Sequence, residues 1–114
     1  MIISAERAIA HATDLLVSSG VPTSAAARTA RCIVTSDVWG NPSHGLMRLP
    51  FYLQRIAMGG VNPGATLQTL SERGAVTSLD GEDGLGHWQL WEAAEIAVTK
   101  AKEFGIALVS VKNS

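Results

Sequence analysis

The chain has 114 residues and a mass of 12.0 kDa, of which 46% are hydrophobic and 17% charged. That is one domain's length and a globular rather than a disordered composition. Nine Lys and Arg against ten acids give a formal charge of −1 and a pI near 6.3, with no run of either sign. Nonspecific nucleic-acid binding and membrane-surface binding both need concentrated positive charge, so neither is expected. No apolar run approaches the ~20 residues of a spanning helix. The single cysteine, Cys32, makes neither an internal disulfide nor a zinc site by itself, and Met1–Glu6 shows no signal-peptide pattern. A cytoplasmic, reducing setting is the expectation.

The first half reads as helical. Ser4 is placed to cap a helix whose apolar positions Ala5, Ala8, Ile9, Ala12, Leu15 and Leu16 recur at helical spacing, and Gly20 suits its end. Pro22 forbids simple continuation; Thr23 or Ser24 is expected to cap a second helix with Ala27, Ala30, Val34 and Val38 on one face, ending near Gly40. A third periodic stretch runs from His44 to Met58. Pro50 makes a regular helix safe only from about residue 50, with 44–49 expected as a turn leading into it. Gly59-Gly60 and Asn62-Pro63-Gly64 close the segment.

The pattern then changes. Thr66–Glu72 and Ala75–Leu79 read as two strands joined at Arg73-Gly74, residues 80–86 as a loop, His87–Phe104 as a helix ended by Gly105, and Ile106–Val111 as a strand. That last strand is apolar on both faces, as in an internal strand of a sheet covered on both sides. Strand, helix and strand over 75–111 have the length of a right-handed parallel crossover. The fold class expected is α/β (α+β within these residues): a helical segment over 1–60, then the start of a mixed sheet over 66–112. An internal strand so close to Ser114 reads as the N-terminal part of a longer, truncated α/β domain.

Chemistry concentrates at Ser43-His44-Gly45-Leu46-Met47-Arg48-Leu49-Pro50-Phe51-Tyr52. On a helical wheel His44, Arg48, Tyr52 and Arg55 share one face, and Leu46, Leu49, Leu53 and Ile56 another. An imidazole, guanidiniums and a phenol together suit an anionic carbonyl substrate. Arg holds a carboxylate bidentately, and His trades a proton near neutral pH. The plainer reading makes Ser43 a cap, His44 a turn residue and Arg48 a solvated charge. Elsewhere, Gly81-x-x-Gly84-x-Gly86 lies between a strand and a helix, where N–H groups cradle phosphates, but its spacing reverses the dinucleotide fingerprint, and turning alone accounts for it. His87 reads as structural, His11 as solvated, Cys32 as a small buried hydrophobe, and Trp88 and Trp91 as core or interface anchors. A Ser43 nucleophile is rejected, lacking an elbow motif and an orienting third residue, and no spacing suggests a metal.

Gly40-Asn41-Pro42-Ser43-His44-Gly45-Leu46-Met47-Arg48-Leu49-Pro50-x-Tyr52 resembles the signature of the type-2 malate/L-lactate dehydrogenase family, which includes ureidoglycolate, sulfolactate and diketogulonate oxidoreductases and a cyclic-imine reductase. Gly60-Val61-Asn62-Pro63-x-Ala65, Asp80-Gly81-x-x-Gly84-x-Gly86-His87 and Gly105-Ile106-Ala107-x-Val109-x-Val111-x-Asn113-Ser114 match its later motifs in order. Asn41-Pro42 departs from it, since many members carry a hydrophobic residue and Asp before Ser-His-Gly.

The resemblance implies a non-Rossmann oxidoreductase fold and hydride transfer between NAD or NADP and a small 2-hydroxy or 2-keto acid. It implies His44 as the proton donor/acceptor, Arg48 as the carboxylate clamp, and Ser43 and Tyr52 as substrate-binding residues. It implies a homodimer at full length, with a further His and most cofactor-binding residues downstream, so that these residues alone are expected to be inactive. The rival expectation is a small helical protein-interaction module, with Trp39, Trp88 and Trp91 as anchors.

Overall fold

The computed structural model describes residues 2–114. They divide into two compact units, the first ending at Gly64 and the second running from Ala65 to Ser114.

In the first unit, helix α1 (Ala5–Ser18) starts where Ser4 Oγ accepts the Arg7 N–H at 3.2 Å. It buries Ala8, Ala12 and Leu16 against α2 (Thr23–Val38), and Gly20 leaves it at φ +97°. The expected Thr23 or Ser24 cap is not made. Pro22 occupies the cap position with no side-chain bond, its carbonyl accepting the Ala26 N–H at 2.8 Å, and Thr23 is already helical. The buried face of α2 is also rotated from expectation. It comprises Ala25, Ala26, Thr29, Ala30, Ile33 and Val34, while Val38 is 66% exposed. Small residues at 25, 26, 29 and 30 form the flat strip against which another helix comes close. Leu16 and Ile33, both fully buried, contribute roughly 1.5–3 kcal/mol each. Cys32 is half-buried rather than a core residue, and that burial pushes its thiol up.

After α2 the chain makes two 3-10 turns, Pro42–His44 and Leu46–Arg48, before helix α3 (Leu49–Ala57). The irregular 44–48 stretch is what Pro50 dictates, and Pro50 sits harmlessly in the first turn of α3, where its missing N–H has no helical partner to lose. Leu49 and Ile56 are buried and Leu53 half-buried.

In the second unit, β1 (Gln68–Arg73) and β2 (Val76–Asp80) pair antiparallel around Gly74, with a register shift between Thr69 and Ser71. Helix α4 (Gly86–Phe104) then leads to β3 (Leu108–Lys112), which pairs parallel with β2 from Val76↔Leu108 to Asp80↔Lys112. The sheet order is β1-β2-β3. Leu79, Leu85, Trp88, Gln89 and Ala93 are buried, and Gly105 ends α4 in the left-handed region at φ +83°. The mixed sheet and its strand–helix–strand unit are as expected. Among the described residues β3 lies at the sheet edge, alternating exposed and half-buried, the arrangement expected of a strand whose internal placement belongs to a longer domain. No helix among the described residues is long and apolar enough to cross a membrane.

Candidate active site

The Ser43–Arg48 turn is braced from α2. The Asp37 carboxylate, in the last turn of α2, accepts the Leu46 N–H at 2.8 Å and so caps the second 3-10 turn. Gly45 makes room for it: a β-carbon there would fall 2.0 Å from Asp37 Oδ1. Gly45 has φ −94°, so it is needed for close approach and not for a left-handed backbone. Asp37 is the functional support that sequence reading missed. The available signal was the glycine after Ser-His, which asks what lies against it.

Ser43 is the hub of the exposed polar group. Its Oγ lies 3.0 Å from His44 Nδ1 and 3.1 Å from Asn41 Oδ1. Its carbonyl accepts the Arg48 Nε–H at 3.1 Å. The same residue therefore orients the imidazole through its side chain and the guanidinium through its backbone. The Arg48 guanidinium also stands 6.0 Å from the Phe51 ring centre, within cation–π range. Among the described residues neither terminal nitrogen of Arg48 is hydrogen-bonded, which leaves the fork open to a carboxylate. Tyr52 is half-buried on α3, its ring edge-on to Phe51 at 5.9 Å. Arg55, grouped with this face on the wheel, instead donates to the Gly60 carbonyl at 3.4 Å. Chemically, the turn offers a proton-transfer group and a carboxylate fork on one support.

The glycine loop is different. Gly81, Glu82, Asp83 and Gly84 donate their N–H groups to Lys112 O, Asp80 Oδ1, Asn113 O and Gly81 O at 2.8, 2.9, 2.8 and 2.9 Å. Glu82 and Asp83 both have positive φ, 52° and 60°, giving a tight turn closed by the last of these bonds. The glycines admit Gln89: added β-carbons at Gly81 and Gly84 would lie 2.3 Å from Gln89 Oε1 and 2.4 Å from Nε2. No N–H in this run is left for a phosphate. The Glu82 N–H and the Asn113 side chain hold the Asp80 carboxyl below its ordinary range. His87, at the start of α4, is half-buried, and burial pushes its pKa down. Two grooves of about 540 Å3 run along α4 and contain none of the Ser-His-Gly residues. No cluster of His, Cys, Asp and Glu among the described residues fits a metal.

The family model described as malate/L-lactate dehydrogenase matches residues 3–114. The chain belongs to that family. L-sulfolactate dehydrogenase of Methanocaldococcus jannaschii is 34% identical over 114 residues, covering 100% of this chain and 33% of its own. A (2R)-3-sulfolactate dehydrogenase (NADP(+)) of Chromohalobacter salexigens is 34% identical over 113 residues, covering 99% of this chain and 34% of its own. The structure of malate dehydrogenase from Pyrococcus horikoshii superposes with a TM-score of 0.95 at 32% identity, over 100% of this chain and 33% of that one. This malate/L-lactate dehydrogenase family chain therefore spans about a third of the length of the relatives it matches. Membership carries the mixed α/β architecture. The three-stranded sheet departs from the helical architecture of the rival expectation.

Proposed function

We propose that these residues form the N-terminal part of one domain of an NAD- or NADP-dependent dehydrogenase that interconverts a small 2-hydroxy acid and its 2-keto acid, as a homodimer at full length. The observation that carries this reading is the Ser43 hub, which presents His44 and Arg48 side by side on an exposed turn. Arg48 grips the substrate carboxylate with its two terminal nitrogens. His44 gives a proton to the keto oxygen in reduction and takes it from the hydroxyl in oxidation, through Nε2, the ring nitrogen that Ser43 does not occupy. Ser43 keeps the ring in place, and Tyr52 borders the substrate from α3.

The nicotinamide nucleotide's phosphates do not fit the Gly81–Gly84 turn, since the N–H groups of residues 81–84 are already used. Its binding is assigned to no residue here, no step is derived through it, and the 114 residues alone are expected to be inactive. The test is steady-state kinetics of the full-length enzyme. His44→Ala lowers kcat about 10²–10⁴-fold, as expected for loss of a general acid–base. Arg48→Ala chiefly raises KM, by about 10–100-fold, for the lost charge-assisted bonds of a carboxylate. Kinetics unchanged in both would overturn the reading.

A further inference from the structure

We propose that Asn41 sets the tautomer of His44, acting through Ser43, and is thereby a positioning residue of this site. Its catalytic meaning rests on the dehydrogenase reading above; the tautomer does not.

The argument is a count of protons. Asn41 Oδ1 is an acceptor only, and Ser43 Oγ lies 3.1 Å from it and 3.0 Å from His44 Nδ1. The hydroxyl has one proton. Given to Oδ1, it leaves Oγ with only lone pairs toward the ring, so Nδ1 must be the donor. Neutral His44 therefore carries its proton on Nδ1 and has a bare Nε2. This opposes the preference of imidazole in water, where the proton resides mainly on Nε2.

The Asn41 side chain is well placed to impose that choice. The Asn41 backbone N–H donates to the Ser36 carbonyl at 2.8 Å, and the Asn41 backbone carbonyl accepts the His44 backbone N–H at 3.1 Å. Pro42 follows and fixes the start of the turn. Backbone bonds thus hold Asn41 on both sides of the residues it orients.

The arrangement suits a proton-transfer cycle. In imidazolium both nitrogens donate, and in the neutral ring only Nε2 has lost its proton. The Nδ1–H to Ser43 bond is the same in both states, so the hydroxyl need not turn as the proton leaves and returns. That is preorganisation of the kind that costs no rearrangement during reaction. Without an acceptor at 41, the Ser43 proton is free to turn to Nδ1, which places the ring proton on Nε2 and blocks that atom as a base.

The experiment is a long-range ¹H–¹⁵N correlation spectrum of the protein labelled at its histidine ring nitrogens, at a pH where His44 is neutral. The His44 signals are those lost in His44→Asn. The expected result is a protonated Nδ1 in the wild type, a proton moved mainly to Nε2 in Asn41→Val, and the wild-type pattern kept in Asn41→Asp, which retains an acceptor. Should Asn41→Val not fold, Ser43→Ala removes the middle link and is expected to give the same shift. A wild-type ring protonated on Nε2, as it would be if the Asn41 amide turned its NH₂ to Ser43, overturns the proposal. So does a tautomer indifferent to both changes. In the full-length enzyme Asn41→Val is expected to lower kcat for hydroxy-acid oxidation roughly fivefold, in proportion to the competent tautomer, with KM little changed and Asn41→Asp restoring it. A proton that moves with no change in kcat would strike the catalytic role given to His44 and leave the tautomer assignment standing.

Discussion

Two glycine-bearing turns invite a functional reading, and they differ in where their polar groups go. In the Ser-His-Gly turn the backbone is satisfied by Asp37 on the Leu46 N–H and by Arg48 on the Ser43 carbonyl, and His44 and Arg48 stand exposed. In the Gly81–Gly84 turn the four N–H groups are used within the loop and by its neighbours, and the glycines make room for Gln89, whose Nε2 donates to the Gly81 carbonyl at 2.6 Å. A turn with spare donors and a braced backbone is a site. A turn with every donor used is a joint. The motif letters alone do not separate them, but the fate of each N–H does.

Alanine at one close-packed glycine of each turn breaks or sharpens this contrast, with the largest effect in the joint. At Gly84 the new β-carbon would meet Gln89 Nε2 at 2.4 Å and the Ala65 β-carbon at 2.6 Å, with Gly81 O at 3.0 Å. Buried groups with nowhere to move make this an overpacking change, worth about 3 kcal/mol of lost stability in a urea titration. Substrate affinity of the full-length enzyme is expected to hold wherever the variant remains folded. A Gly84→Ala chain as stable as wild type would mean the loop is open after all.

Gly45→Ala is the matching change at the site. Asp37 must swing away from the new β-carbon, which costs the Leu46 N–H its cap and about 1–3 kcal/mol. Here kcat/KM falls along with stability, because the turn carries His44 and Arg48. Asp37→Ala removes the cap without the collision and is expected to lose about 1 kcal/mol. Stability lost with kcat/KM intact in Gly45→Ala would separate the brace from the chemistry.

This difference also explains what was legible in the sequence. Helix α1, the hairpin, α4 and β3 follow from local signals: Ser4, Gly74, Gly105 and runs of apolar spacing. Pro50 announced the irregular lead-in to α3. The buried face of α2 was misread because Ala and Thr bury as well as Val when another helix lies close, and hydrophobicity alone ranks Val38 above Thr29. For β3, apolar residues on both faces describe what a strand is suited to meet, and these 114 residues hold only one of its sides, in keeping with a chain that spans about a third of its relatives' length. At the site, His44 and Arg48 were visible as residue types in a motif. Asp37 and Asn41 were not, because their parts depend on hydrogen bonds that spacing does not encode.

The smallest expected effect again sets the two regions apart, through one residue type. His44 stands exposed on its turn, whereas His87 is half-buried at the start of α4, where burial lowers its pKa. The sign follows from proton binding. Below about 6.5 the unfolded chain protonates His87 while the folded chain resists. The unfolded state then holds more protons, so stability falls as pH drops through that window, and the slope vanishes once the folded ring also protonates. His87→Gln is expected to flatten this part of the curve of unfolding free energy against pH. His44→Gln should leave the His87 contribution in place while abolishing turnover in the full-length enzyme. An unaltered slope in His87→Gln would show that the half-buried imidazole does not carry the pH dependence. It would also weaken the division of labour between a histidine that the fold shelters and one that it presents.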